Sequence, residues 1–208
     1  MIKTHNRKYF VLTGIIIFIL LLFIIFVYII MPRGIPIVLI KEDTFYGILK
    51  DGDIICRLGN RLWSQIFKDF SIDDKRFSHI GIIRIYNDRI TVIHAEGTAR
   101  PGKDFVKEEP LEDFLKVARA IGIYRIMNLD GNKISNMAME YIGVPFDWKF
   151  DIGDASEIYC TELLYIILKR LMPEFKFNTT YVKELKKDII PIDSITNSEY
   201  FSEVFFIR

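Results

Sequence analysis

The sequence predicts an α+β domain carried behind a single membrane-spanning helix. Three observations lead there: an unbroken apolar run near the N-terminus, a later hairpin of isoleucine- and valine-rich strands, and helices mixed among strands without regular βαβ alternation. The length of 208 residues favours one domain plus an accessory segment. Half the residues are hydrophobic and 14% are aromatic, which excludes a disordered chain. A net charge of +1 provides no basic surface for nucleic acid. Two cysteines are too few for a disulfide scaffold or a four-thiolate zinc site. The mean hydropathy of +0.21 is high for a chain with 26% charged residues, so one segment must inflate it.

That segment is Phe10 to Ile30, where only Thr13, Gly14 and Tyr28 are not strongly apolar and nothing is charged. As a helix at about 1.5 Å per residue it would span roughly 31 Å, the thickness of a bilayer's hydrocarbon core. A cleaved signal peptide would have an apolar core of only about 7–15 residues and a small-residue cleavage site. Here the run exits through Ile30, Met31, Pro32 and Arg33 without such a site. The expected organisation is a basic flank over residues 1–9, an anchor over 10–31, a tether over 32–49 and a catalytic domain over 50–208. Lys3, Arg7 and Lys8 precede the span, which predicts a cytoplasmic N-terminus and a domain outside. Without residues 1–31 the chain holds 25 basic and 27 acidic residues, a net of −2.

The domain's elements follow from periodicity and punctuation. Gly52 to Leu58 reads as a strand after a turn, and residues 59–70 as a short amphipathic helix. His79–Ile85 and Arg89–Ala95 form two strands joined by Asn87-Asp88, good chemistry for a two-residue turn. Residues 97–110 and 145–158 read as loops shaping a cleft. Leu111, Phe114 and Leu115 sit at helical spacing. Ile121–Ile126 reads as a strand, and residues 131–142 as a helix stopped by Gly143 and Pro145. Residues 161–171 are a strongly apolar helix. Residues 183–188 read as a solvated helix face, and 189–192 and 204–207 as closing strands.

Cys160 opens the most apolar helix of the domain. A helix N-terminus favours the thiolate and lowers the thiol pKa below its free value of about 8.5. Any two-residue turn pairs positions whose numbers sum to an odd value. His79 and His94 therefore share a face of the hairpin near its open end. A thiol, a histidine base and a second polar group orienting that base make a nucleophilic triad. One cysteine and two histidines also suit zinc, but a structural site wants a fourth ligand at tight spacing, and none lies near Cys160. No cofactor motif is present. Cys56, late in its strand, reads as core packing.

These residues carry a family resemblance. Gly52-Asp-Ile-Ile55, Ser78-His-Ile-Gly-Ile-Ile83, Val92-Ile-His-Ala95, Tyr141-Ile-Gly-Val-Pro-Phe-Asp147 and Tyr159-Cys-Thr-Glu-Leu163, in this order, resemble the circularly permuted papain-like enzymes of the YiiX type. These belong to the NlpC-type cysteine peptidase and amidase superfamily. The resemblance covers about residues 50–170 and implies a permuted papain-like domain with an antiparallel sheet. It implies Cys160 as nucleophile, His79 as base and His94 as orienting residue, with Glu96 in reserve. It places Asp147 and Tyr159 in the substrate or oxyanion region, with capping of its own loop an equal alternative for Asp147. Where the family often has Pro-Tyr, this chain has Pro145-Phe146, leaving the Cys160 backbone N–H as the clearest oxyanion donor.

The expected activity is a membrane-anchored cysteine hydrolase acting through a thioester on amide or ester bonds, in cell-wall peptides or lipid-linked amides. A thiol acyltransferase acting on lipids is an alternative. An anchored but inactive binding module is another, to which Phe146 gives some weight.

Overall fold

The computed structural model describes residues 3–30, 43–98 and 102–208. The chain divides into two units, Met1–Arg33 and Gly34–Arg208. In the first, helix α1 (Lys3–Ile30) runs unbroken. Its large apolar side chains from Val11 to Phe26 are each 49–62% exposed. Among the described residues no helix is long and apolar enough to cross a membrane. Of the anchor expected at 10–31, residue 31 and the side chains of residues 10 and 28–30 lie outside the described residues. Most of the expected tether, 32–42, lies outside the described residues, as do residues 99–101 of the first expected loop.

The second unit is built on a six-stranded antiparallel sheet. Its strands are β1 (Ile54–Gly59), β2 (His79–Tyr86), β3 (Arg89–Glu96), β4 (Phe105–Pro110), β5 (Ala118–Ile126) and β8 (Phe201–Ile207). Their spatial order is β4-β3-β2-β1-β5-β8. Strand β1 is buried at all six positions because both sheet faces are covered. Alternating residues feed two cores. Ile54, Cys56, Ile80, Ile82 and Ile93 face one, together with helices α5 (Gly131–Met139) and α6 (Cys160–Leu171). Ile55, Ile83, Val92, Ile121 and Ile123 face the other, beneath α2 (Asp43–Ile48) and α4 (Leu111–Leu115). The remaining helices are α3 (Leu62–Phe67) and α7 (Asp193–Thr196); β6 (Thr180–Val182) pairs with β7 (Lys187–Ile189).

The hairpin has the turn that its sequence implies. Asn87 and Asp88 both adopt positive φ, 48° and 60°, so the strands continue in right-twisted register from Tyr86↔Arg89 to Ile82↔Ile93. Four expectations change. Residues 43–49, assigned to the tether, contribute Phe45 and Leu49 to the second core. Residues 105–110, assigned to a loop, are edge strand β4. Residues 183–188 are not helical but lead through a turn into β7. Of 189–192 only Ile189 is strand, and α7 follows. Each of these segments is too short or too charged for periodicity to define it, and pairing with distant partners decides its state.

A close backbone contact seats α5 on the sheet. A Cβ on Gly131 would lie 1.8 Å from the Asp51 carbonyl oxygen, and one on Gly52 (φ +78°) would lie 2.3 Å from Gly131 Cα. Asp51 strengthens the junction by accepting hydrogen bonds from the Ile85 amide (3.0 Å) and the Ser135 hydroxyl (2.9 Å). Helix propensity alone makes Gly131→Ala stabilising by about 1 kcal/mol. The overlap reverses the sign, and a loss of about 1–3 kcal/mol is expected in denaturant unfolding; an unchanged or raised midpoint would contradict this packing.

Candidate active site

The β2–β3 ladder ends at Ile82↔Ile93, three residues short of His79. Helix α6 begins where the ladder stops. There the Ile80 amide hydrogen-bonds the Cys160 thiol instead of continuing the strand pairing, and the amides of Thr161 and Cys160 itself also approach the sulfur. The helix start is held by the chain at Ile190. The Ile190 amide donates to the Tyr159 hydroxyl (3.0 Å), and the Thr161 hydroxyl donates to the Ile190 carbonyl (2.6 Å). Cys160 thus sits beside the first residues of β2 at the wall of a cleft of ≈ 120 Å³ that His79 also lines.

The two histidines meet as the hairpin parity requires. His79 Nε2 and His94 Nδ1 are 2.8 Å apart, and the rings lie edge to face at 5.0 Å. Both rings rest against Phe114 of α4. His94 is fully buried. Burial first, and then the charge of Arg57, hold both imidazoles well below their ordinary pKa, which favours the neutral form of each. No hydrogen bond joins the Cys160 thiol to His79 among the described residues. The only His79 ring nitrogen not engaged by His94 is Nδ1.

Beyond His94 lies a carboxylate that sequence reading missed. Glu109 Oε1 is 3.0 Å from His94 Nε2. On β4, Lys107 stands directly opposite His94 and Glu109 is the diagonal neighbour. The reserve candidate, Glu96, points elsewhere: its oxygens meet Arg57 (3.0 Å) and Lys107 (2.6 Å). Burial raises the Glu96 pKa, but the Lys107 hydrogen bond and its electropositive neighbours outweigh this and bring it to about 2. Sequence adjacency to His94 favoured Glu96. The only signal for Glu109 was the alternation of Lys107 and Glu109 around a buried register, visible once β4 is known to be a strand.

One further expectation is corrected. The helix N-terminus was expected to depress the Cys160 pKa. Burial instead raises it, and the three neighbouring amides oppose this without reversing it. Of the two roles open to Asp147, the loop cap is the one its contacts fit: it is 2% exposed and accepts the amides of Lys149 (2.7 Å) and Asp151 (2.5 Å). Tyr159 and Phe146 do line the cleft, and Phe146 packs 4.9 Å from Trp148. Cys56 is fully buried in the first core and free.

A buried sheet with a thiol at a helix start and a histidine on the adjoining strand defines the papain-like thiol hydrolases. The chain belongs to the permuted papain-like amidase family of YaeF and YiiX, whose model matches residues 48–201. It is a cysteine amidase or peptidase-like hydrolase. A crystal structure of the metalloprotein YiiX from Escherichia coli O157:H7 shares the fold, with a TM-score of 0.62 at 17% identity over 75% of this chain and 96% of that one. No curated protein matches.

One cluster in this chain has the residue types of a metal site. The ligand atoms of His94, Glu96 and Glu109 lie within 4.8 Å of one another. The Lys107 ammonium already bridges the two carboxylates, at 2.6 and 2.7 Å, and His94 Nε2 is engaged by Glu109. An internal cation, the Lys107 ammonium, fills the position, so these residues do not fit a metal ion.

Glu162 anchors the loop that precedes Cys160. It is fully buried and accepts the amides of Gly153 (2.8 Å) and Tyr159 (3.5 Å). Burial raises its pKa from 4.5 to about 7. The folded state therefore holds this proton more tightly than the unfolded chain. The stabilisation is complete below the unfolded value of about 4.5 and lost as pH rises through about 7. Melting curves of wild type and Glu162→Gln between about pH 5 and 8 should show wild type losing stability relative to the variant; parallel curves would reject the assignment.

Proposed function

We propose that this chain is a membrane-anchored thiol hydrolase that cleaves an amide or ester bond joined to an acyl chain. The observation that carries this reading is the chemistry of the cleft shared by Cys160 and His79. Its walls include Trp63, Phe67, Phe70, Phe150 and Ile192, and Trp63 is 62% exposed at the rim. Such a surface gains from an acyl chain, at about 25 cal/mol per Å² of apolar area covered, while Arg57, Asn60, Arg61 and Glu96 in the same lining supply polar contacts beside it.

In the proposed reaction His79 Nδ1 takes the Cys160 proton as the sulfur attacks the carbonyl carbon. The Cys160 backbone N–H faces the developing oxyanion. The carbon–nitrogen or carbon–oxygen bond breaks, the leaving group takes the proton from His79, and a thioester remains. Water, deprotonated by His79, then releases the acid. His94 orients His79 throughout. The raised thiol pKa suits a proton transfer made during attack rather than a resting thiolate. The anchor is supported by the length and apolarity of residues 10–30, and its orientation by Lys3, Arg7 and Lys8.

Long-chain N-acyl amides and esters should be hydrolysed, and short-chain analogues and wall peptides more slowly. Cys160→Ala should lower turnover by at least about 10³-fold while retaining the fold. Full activity in that variant, or a preference for wall peptides, would overturn the reading. Labelling by an electrophilic thiol probe should be lost in Cys160→Ser and slowed in His79→Ala; labelling unchanged without His79 would remove it as the base. Protease added to intact cells should digest the C-terminal domain, and complete protection would reverse the orientation.

A further inference from the structure

We propose that Glu109, held by Lys107, is the positioning residue that sets the tautomers of both histidines and so leaves His79 competent as a base. This rests on the assignment of His79 as the base of the reaction above. One chain of hydrogen bonds fixes where each proton sits. A carboxylate can only accept, so His94 Nε2, 3.0 Å from Glu109 Oε1, must carry a hydrogen. His94 is neutral, so its Nδ1 holds a lone pair. His79 Nε2, 2.8 Å from that Nδ1, must then be the donor. His79 is neutral as well, so its own Nδ1 is left with the lone pair needed to receive the thiol proton.

Lys107 makes the arrangement one-way. Its ammonium, which only donates, lies 2.7 Å from Glu109 Oε2 and 2.6 Å from Glu96 Oε2. With Arg57 on Glu96 Oε1, all four oxygens of the two carboxylates have a partner. In Glu109→Gln the amide must turn its oxygen to Lys107, which has nothing but hydrogens to offer. The amide NH₂ then faces His94 and requires a lone pair on Nε2. His94 shifts its hydrogen to Nδ1 and donates to His79 Nε2, and the His79 hydrogen moves to Nδ1. The base is then blocked by its own proton, although shape and volume are nearly unchanged.

This reverses the usual ranking of substitutions. If Glu109 served only packing, the isosteric glutamine would be the mildest change. Under the tautomer model Glu109→Gln is worse than Glu109→Ala, which imposes no tautomer, and Glu109→Asp restores part of the function. The test uses the full-length chain in detergent with ¹⁵N-labelled histidine, in which only His5, His79 and His94 contribute. Wild type should show both active-site rings protonated at Nε2, and Glu109→Gln should show both protonated at Nδ1. The rate of Cys160 alkylation by iodoacetamide should fall about tenfold or more in Glu109→Gln, with turnover of an acyl ester falling by about 10²–10⁴-fold at little-changed KM. An Nδ1–H on His79 in wild type, an Nε2–H on His94 in the glutamine variant, or glutamine proving the mildest substitution would each overturn the proposal. The ring spectra report on the resting protein without substrate. Failure of the hydrolase reading, seen as a Cys160→Ala variant that retains turnover, is therefore distinguishable from failure of this one.

Discussion

Six ionisable side chains meet at one end of the sheet, and the need to leave none of them unpaired governs the site. Arg57 comes from β1, His79 from β2, His94 and Glu96 from β3, and Lys107 and Glu109 from β4. A buried ion without a partner costs several kcal/mol. Arg57 meets that demand by donating to the Phe114 carbonyl (2.8 Å) and to Glu96 while its guanidinium lies 4.0 Å over the Phe114 ring. The histidines meet it by staying neutral and bonding to one another. The network ties four adjacent strands in one register, because a slip of β4 by one residue would turn Lys107 and Glu109 to the opposite face.

The cleft follows from where that network stops. The β2–β3 ladder ends before His79, and the Ile80 amide released there meets the sulfur of Cys160. The first turn of α6 is fixed from outside by both backbone groups of Ile190, and from behind by Glu162 holding the preceding loop. Nucleophile and base are therefore placed by different parts of the chain: one by a helix start clamped to residues near 190, the other by a strand end clamped to β3 and β4. The aromatic wall is supplied by α3 and the loop before α6, which also bring Trp63 and Phe146 to the opening.

How much of this was legible differs by residue. The shared face of His79 and His94 could be read because a two-residue turn fixes parity locally. Cys160 could be read because its helix is long and apolar. Glu109 could not. Its strand, Phe105-Val-Lys-Glu-Glu-Pro110, has a single deeply buried apolar residue, Val106, and resembles a charged loop until it pairs with β3. Glu96 was the nearer acid in sequence, but Arg57 and Lys107 claim both its oxygens. The thiol's environment escaped for a similar reason: proximity to a helix N-terminus is local, whereas the burial that outweighs it comes from packing against distant residues. Phe45 and Leu49 belong to the second core although nothing in their short segment distinguishes them from a linker.

By itself the sequence determined the apolar N-terminal segment, the mixed α+β class, the histidine hairpin, the apolar helix opened by Cys160 and the family those motifs resemble. All are written in short-range spacing, which a local pattern can express. Only the tertiary structure decided that Glu109 rather than Glu96 partners His94, that Lys107 occupies the space of a cation, that Asp147 caps a loop, and that aromatic and charged side chains share the cleft. Each of those depends on strand register or on which groups are buried together, and such contacts join residues whose separation along the chain carries no periodic signal.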